Sequence, residues 1–200
     1  MLYHAVMEMG KLVLIIGPSG VGKSVILKTL RDSHPELVFP KSATTRSRRL
    51  GEGDELYHFV TDEDFLLWDR EGKFLETAQV HHGARYGTLL SEIVPPIEAG
   101  KTVVREVDVQ GCLSIRKTKL FRRPGGTLRL QTIFILPESV EQLTEHIRKR
   151  APMAEEELRS RMKSVEEELR YAKETDVQII NREGGLSDAI KAVEEAVFAS

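Results

Sequence analysis

The chain has 200 residues, of which 40% are hydrophobic and 30% charged, and a net charge of −2. That length allows one compact domain with inserted subdomains and a substantial core, and the near balance of charge gives no bulk attraction to nucleic acid. No stretch approaches the roughly eighteen apolar residues of a membrane span, the N-terminal residues lack a signal-peptide pattern, and a single cysteine, Cys112, excludes an internal disulfide.

These features lead to the expectation of a cytoplasmic protein, in keeping with the reducing compartment that one free cysteine fits. Cys112 itself reads as a small packed residue rather than a reactive thiol. Residues 1–9 read as a disordered leader.

The first element is the apolar run Leu12-Val13-Leu14-Ile15-Ile16, unalternating as in a buried parallel strand. Directly after it, Gly17-Pro18-Ser19-Gly20-Val21-Gly22-Lys23-Ser24 fits G-x-x-x-x-G-K-[ST] without a mismatch. A helix is expected from about Lys23 to Ser33, ending before Pro35. Strand, glycine-rich loop and helix together mark a phosphate-binding site, or P-loop, for a nucleoside triphosphate. Gly17, Gly20 and Gly22 free the backbone so that its N–H groups cradle an anion. Lys23 supplies a point charge for the β- and γ-phosphates, and Ser24 a hydroxyl for Mg²⁺.

The next stretch, 41–52, is basic and lacks helical periodicity. It reads as a loop, either plainly solvated or an anion site; beside a phosphate loop the anion site is the preferred reading, since an arginine fork matches phosphate oxygens. Tyr57 to Val60 is strand-like. Thr61 and Asp64 form a capping box for a helix reaching about Arg70 and closed by Gly72. Phe74 to Val80 reads as strand. His81 and His82 read as a surface turn, because two adjacent histidines alone do not hold a metal. Pro95-Pro96 is expected to interrupt any helix between Thr88 and Gly100.

Thr102 to Val107 is a second core strand leading to Asp108, and an acid at the end of such a strand is where a nucleotide-binding sheet places a metal-linked carboxylate. A helix over about 109–119, a loop over 121–127, and a third core strand over 131–136 follow. Ser139 and Gln142 cap a helix running to Arg150, and Ala151-Pro152-Met153 breaks the chain. From about 154 to 172, Leu158, Met162, Val165, Leu169 and Ala172 make one apolar helical stripe. Arg159 and Arg161 lie off it, on a solvated face or as part of a basic lid. Val177–Ile180 is a last strand and Ser187–Phe198 a closing helix. Strands alternating with helices give an α/β fold with a largely parallel sheet, and ligands bind at the carboxyl ends of its strands.

Four stretches together resemble the guanylate kinase family, across nearly all of the chain from Leu12 onward. They are Gly17–Ser24; Ser42-Ala43-Thr44-Thr45-Arg46-Ser47-Arg48-Arg49-Leu50-Gly51-Glu52; Phe74-Leu75-Glu76 with Tyr86-Gly87-Thr88; and Val107-Asp108-Val109-Gln110-Gly111. The first is shared by many nucleotide enzymes; the other three, in this order, are specific. The resemblance implies a P-loop nucleotide kinase with a central parallel sheet flanked by helices, an inserted GMP-binding subdomain and a helical lid. The core would span 10–40, 89–145 and 173–200, the GMP-binding subdomain 41–88, and the lid with its following helix 146–172.

The resemblance also implies roles. Ser42 and Glu76 match positions that read the guanine base, because a carboxylate can accept from both the ring N–H and the exocyclic amine. Arg46, Arg49, Tyr57 and Tyr86 match residues that hold the GMP phosphate, with Glu52 and Thr88 in the same pocket. Glu106 and Asp108, standing where the family has Asp-x-Asp, are assigned to GMP binding, and Asp108 with Ser24 to Mg²⁺, partly through water. Asn181 matches a residue near the adenine of ATP. Arg150 and Arg161 match lid arginines and, with Lys23 and Arg46, form the catalytic set.

The implied reaction moves the γ-phosphoryl of ATP to GMP or dGMP, giving ADP and GDP, with neither nucleic acid nor membrane as partner and a monomer or homodimer as the working state. The sequence departs from the family in placing Glu106 for an Asp and His146 for a lid Arg, and in its Pro95-Pro96 pair. Two alternatives stand beside this reading. One is another small-molecule phosphotransferase, such as a ribose bisphosphate phosphokinase, for which a base-reading Glu76 would have no use. The other is a non-catalytic module that binds phosphorylated proteins, which typically lacks a working phosphate loop.

Overall fold

The computed structural model describes residues 9–79, 83–122, 124–150 and 154–199, with the side chain of Arg150 outside the description. The expected leader, apart from Met9, the His81–His82 turn and the break at Ala151-Pro152-Met153 therefore lie outside the described residues.

Eight strands and seven α-helices follow one another along the described residues. They are β1 (Lys11–Ile16), α1 (Lys23–Ser33), β2 (Ser42–Thr44), β3 (Tyr57–Phe59), α2 (Asp62–Arg70), β4 (Phe74–Gln79), β5 (Arg85–Leu89), α3 (Leu90–Glu98), β6 (Thr102–Glu106), α4 (Val109–Lys117), β7 (Arg129–Pro137), α5 (Val140–Arg150), α6 (Glu155–Tyr171), β8 (Val177–Asn181) and α7 (Leu186–Phe198). The strands form two four-stranded sheets, ordered β6-β1-β7-β8 and β3-β2-β5-β4. This is the α/β architecture with a central sheet and flanking helices that the alternation of elements predicts.

By contact density the chain divides into two compact units. One comprises Met1–Leu12, Glu36–Arg105 and Leu113–Leu130; the other comprises Val13–Pro35, Glu106–Cys112 and Gln131–Ser200.

In the second unit the apolar run of β1 is wholly buried from Val13 to Ile16. A strand covered on both faces has no polar side to show, hence the absence of alternation. β7 and β8 pair in parallel, from Ile133 opposite Val177 to Pro137 opposite Asn181. Pro137 occupies the last position of β7, where no further ladder donor is required. Helix α5 begins as the capping box predicts, with Gln142 N–H donating to Ser139 Oγ at 3.1 Å. Leu158 and Val165 of α6 are buried, as its apolar stripe requires.

In the first unit, the β3-β2-β5-β4 sheet carries a small core of Ala43, Phe65 and Leu89, against which Val60, Trp68 and Phe74 pack. Phe65 and Phe74 stack with ring centroids 4.5 Å apart. Trp68 is thus a packing residue. Thr61 caps α2, its hydroxyl accepting from Asp64 N–H at 3.0 Å.

Two expectations fail here. Within the stretch 41–52, which reads as a loop, Ser42–Thr44 is a strand, held against β5 by antiparallel register that sets Ser42 opposite Thr88 and Thr44 opposite Tyr86. Pro95-Pro96 also does not interrupt a helix: both prolines lie inside α3. A proline there deprives a carbonyl one turn back of its donor. The helix persists because Ile93 and Ile97, one turn apart, are both completely buried, and because Ala99 and Lys101 N–H close its end on the Pro95 and Pro96 carbonyls.

Candidate active site

The phosphate loop connects β1 to α1. At the entry, Gly17 has φ of 149°, and a Cβ there would lie 2.5 Å from the Ile135 carbonyl oxygen. Gly22 caps α1 at φ 99°. A Cβ on Gly22 would meet the Asn181 amide at 2.8 Å. Asn181, at the end of β8, in turn donates from its side chain to the Val21 carbonyl at 2.9 Å. The predicted ATP-binding residues Gly17, Pro18, Ser19, Gly20, Val21, Gly22, Lys23, Ser24 and Asn181 therefore form one local structure.

The start of α1 has neither a side-chain cap nor an acid in its first turn. The contrast with α2 is direct, since α2 has a threonine cap and three acids there. An uncapped helix start with its positive dipole end exposed suits a bound anion.

Lys23 is 9% exposed. Its Nζ donates to the carbonyls of Gly17 at 2.5 Å and Pro18 at 3.0 Å. Glu106 Oε1 lies 3.6 Å from it. Burial lowers the Lys23 pKa, while the carboxylates of Glu106, Glu168 and Asp108 oppose that shift. Glu106 and Asp108, assigned to GMP from the resemblance, thus act on the loop lysine. Asp108 also caps α4, accepting from Gly111 N–H at 2.6 Å. Glu168, on α6, was not foreseen. It is half-buried, and burial raises its pKa against the attraction of Lys23. Its signal was present: Glu168 lies three residues after Val165 and one before Leu169, on the buried side of the stripe.

The lid candidates are less concentrated. Arg161 is exposed and pairs with Glu157 of its own helix at 3.4 Å. Arg150 lies at the end of α5, its side chain outside the described residues. His146, where the family has arginine, faces Glu183 at 3.3 Å.

Among the described residues, no group of three or more His, Cys, Asp or Glu side chains is placed to hold a metal by itself. Ser24 and Asp108 are both exposed and offer hard oxygen atoms. Such a sparse oxygen set fits Mg²⁺, which keeps its waters and shares its coordination with phosphates.

In the first unit, strand register brings the acceptor candidates together. Tyr57 pairs with Ser42, Ser42 with Thr88, and Thr88 with Glu76, one row across all four strands of the sheet. Glu76 is 7% exposed at its side chain, and Thr88 Oγ1 donates to its Oε1. Arg105, not foreseen, joins this row by donating to Ser42 Oγ at 3.0 Å. The sequence did carry a sign of it, a lone arginine directly after the apolar pair Val103-Val104 in a stretch that reads as a core strand.

Beside the row lies an anion cluster. Arg46 holds Glu52 through two bonds of 3.0 and 2.7 Å and donates from Nε to the Tyr86 hydroxyl at 3.2 Å. Its guanidinium lies 5.3 Å from the Tyr57 ring centroid. The Arg46 fork, then Arg49 N–H, hold the Glu52 carboxyl at about 2. Arg49 points its side chain to solvent while its N–H donates to Glu52 at 2.9 Å. The sequence-predicted residues Ser42, Arg46, Arg49, Glu52, Tyr57, Glu76, Tyr86 and Thr88 thus gather on one sheet and the loop that follows β2.

Comparison with known proteins points to one family. A family model described as guanylate kinase matches residues 9–200. A guanylate kinase of Synechococcus sp. is 38% identical over 96% of this chain and 100% of its own length. A guanylate kinase of Clostridium perfringens is 38% identical over 95% of this chain and 83% of its own. Among solved structures, guanylate kinase from Anaplasma phagocytophilum superposes with a TM-score of 0.68 over 95% of this chain and 85% of its own, at 23% identity, which supports the shared fold. By family match and by identity over nearly its whole length, the chain belongs to the guanylate kinase family.

Proposed function

We propose that this enzyme transfers the γ-phosphoryl group of ATP to GMP or dGMP, giving ADP and GDP. The observation that carries the reading is the Tyr57–Ser42–Thr88–Glu76 row, which sets a buried carboxylate and a hydroxyl beside a tyrosine–arginine anion cluster. Guanine presents two adjacent donors, its ring N–H and exocyclic amine, and a carboxylate accepts from both. Arg46, Arg49, Tyr57 and Tyr86 hold the phosphate of the same nucleotide.

On the donor side, the loop N–H groups and the start of α1 take the β- and γ-phosphates. Lys23 exchanges the Gly17 and Pro18 carbonyls for phosphate oxygens, and Asn181 lies toward the adenine. Mg²⁺, held by Ser24 and by Asp108 partly through water, would supply charge neutralisation across the phosphates. The protein forms no covalent bond of its own; it orients two polyanions in line and offsets their repulsion. Arg150 and Arg161 are the lid residues this reading assigns to the transferring group. The cytoplasmic setting, and a monomer or homodimer as the working state, belong to the same reading.

The test is Lys23→Ala. ADP release with ATP and GMP should fall by about 10²-fold or more, the scale of losing one preorganised charge-stabilising group. Retained turnover in a coupled assay would contradict a catalytic role for the loop.

A further inference from the structure

Arg105 is a buried cation at the centre of the base-reading row, and neither the phosphate loop nor the anion cluster accounts for it. Its side chain is 11% exposed and that of Glu76 is 7% exposed. Nη1 donates to Ser42 Oγ at 3.0 Å. Nη2 lies 3.5 Å from Glu76 Oε1, the oxygen that also accepts from Thr88. All four residues belong to the first unit.

This geometry has two chemical consequences. A guanidinium only donates, so Ser42 Oγ is the acceptor in their bond. The Ser42 hydroxyl proton is thereby directed away from Arg105, and Ser42 meets a ligand as a donor. The Arg105 guanidinium lies against the Glu76 carboxylate and Thr88 donates to it as well, so Glu76 meets a ligand as an acceptor.

We propose that Arg105 is a positioning residue that sets the polarity of the base pocket: Ser42 as donor, Glu76 as acceptor. The pattern complements a purine with an oxygen acceptor at C6 and donors at N1 and the 2-amino group. It opposes adenine, whose C6 substituent donates and whose N1 accepts. The proposal rests on the reading of GMP as acceptor.

The test compares the wild-type enzyme with Arg105→Met and Arg105→Lys, measuring KM for GMP, KM for ATP and turnover of GMP against AMP. Met keeps the stem and removes the fork. Losing hydrogen bonds to and from charged groups should raise KM for GMP by about 10- to 100-fold, leave KM for ATP unchanged, and narrow the preference for GMP over AMP. Lys restores the charge but cannot span both partners, so its KM should lie between the two.

A wild-type-like KM for GMP in Arg105→Met, or equal losses for ATP and GMP, would overturn the proposal while leaving the reaction itself intact. Should Arg105→Met fail to fold, Arg105→Lys decides, with a several-fold rise confined to GMP supporting the proposal and no rise overturning it. A wild-type enzyme that turns over ATP with another acceptor but not with GMP would overturn both the proposal and the reading it rests on.

Discussion

Two ionisable residues connect the acceptor half of the site to measurable behaviour. Glu76 is deeply buried in the row of base-reading residues. Glu76→Gln replaces one acceptor oxygen with an amide donor that opposes the guanine amine. GMP binding should weaken by about 10²-fold or more, on the scale of a site whose buried polar group faces the wrong partner, while ATP binding changes little. Calorimetry with each nucleotide separates the two. Glu52 has its pKa depressed to about 2, first by the Arg46 fork. A depressed carboxyl stabilises the fold above its ordinary range, and that stabilisation is lost as pH falls toward the folded value. Wild type and Glu52→Gln should therefore differ in thermal stability by a constant amount above about pH 4.5, the ordinary glutamate value. The difference should shrink as the pH approaches 2.

At the scale of elements, the chain was legible where one physical signal dominates. β1 is a continuous apolar run because it is fully buried, and α2 begins at a threonine cap that the sequence spells out. β2 and β5 were hidden because their residues serve the site. Ser42, Tyr86 and Thr88 are polar for chemical reasons, so alternation is lost even though the backbone is paired. α3 was hidden by Pro95-Pro96, whose local penalty is overridden by burial of Ile93 and Ile97. That balance is testable. Ile93→Ala should destabilise the protein by about 2–5 kcal/mol, as for other large-to-small core changes, measured by urea unfolding; a helix held by local propensity alone would lose far less. Arg105 and Glu168 escaped notice for a related reason. Each is a charged residue in an element whose pattern is set by its apolar neighbours, and a charge there reads as solvated until the packing is known.

For the whole molecule, the division into two units also divides the chemistry. The second unit carries the phosphate loop with Lys23, Asp108 and Asn181, and the first carries Ser42, Glu76 and the Arg46–Glu52–Tyr86 cluster. The loop alone would serve many nucleotide enzymes; what narrows the reading to GMP is the row across the β3-β2-β5-β4 sheet. The measurement that tests this most directly is ADP release from ATP and Mg²⁺ with GMP, dGMP, AMP, CMP and UMP supplied one at a time. The account predicts turnover with GMP and dGMP and next to none with the other three. ADP release that is independent of acceptor, or fastest with a non-guanine nucleotide, would contradict it.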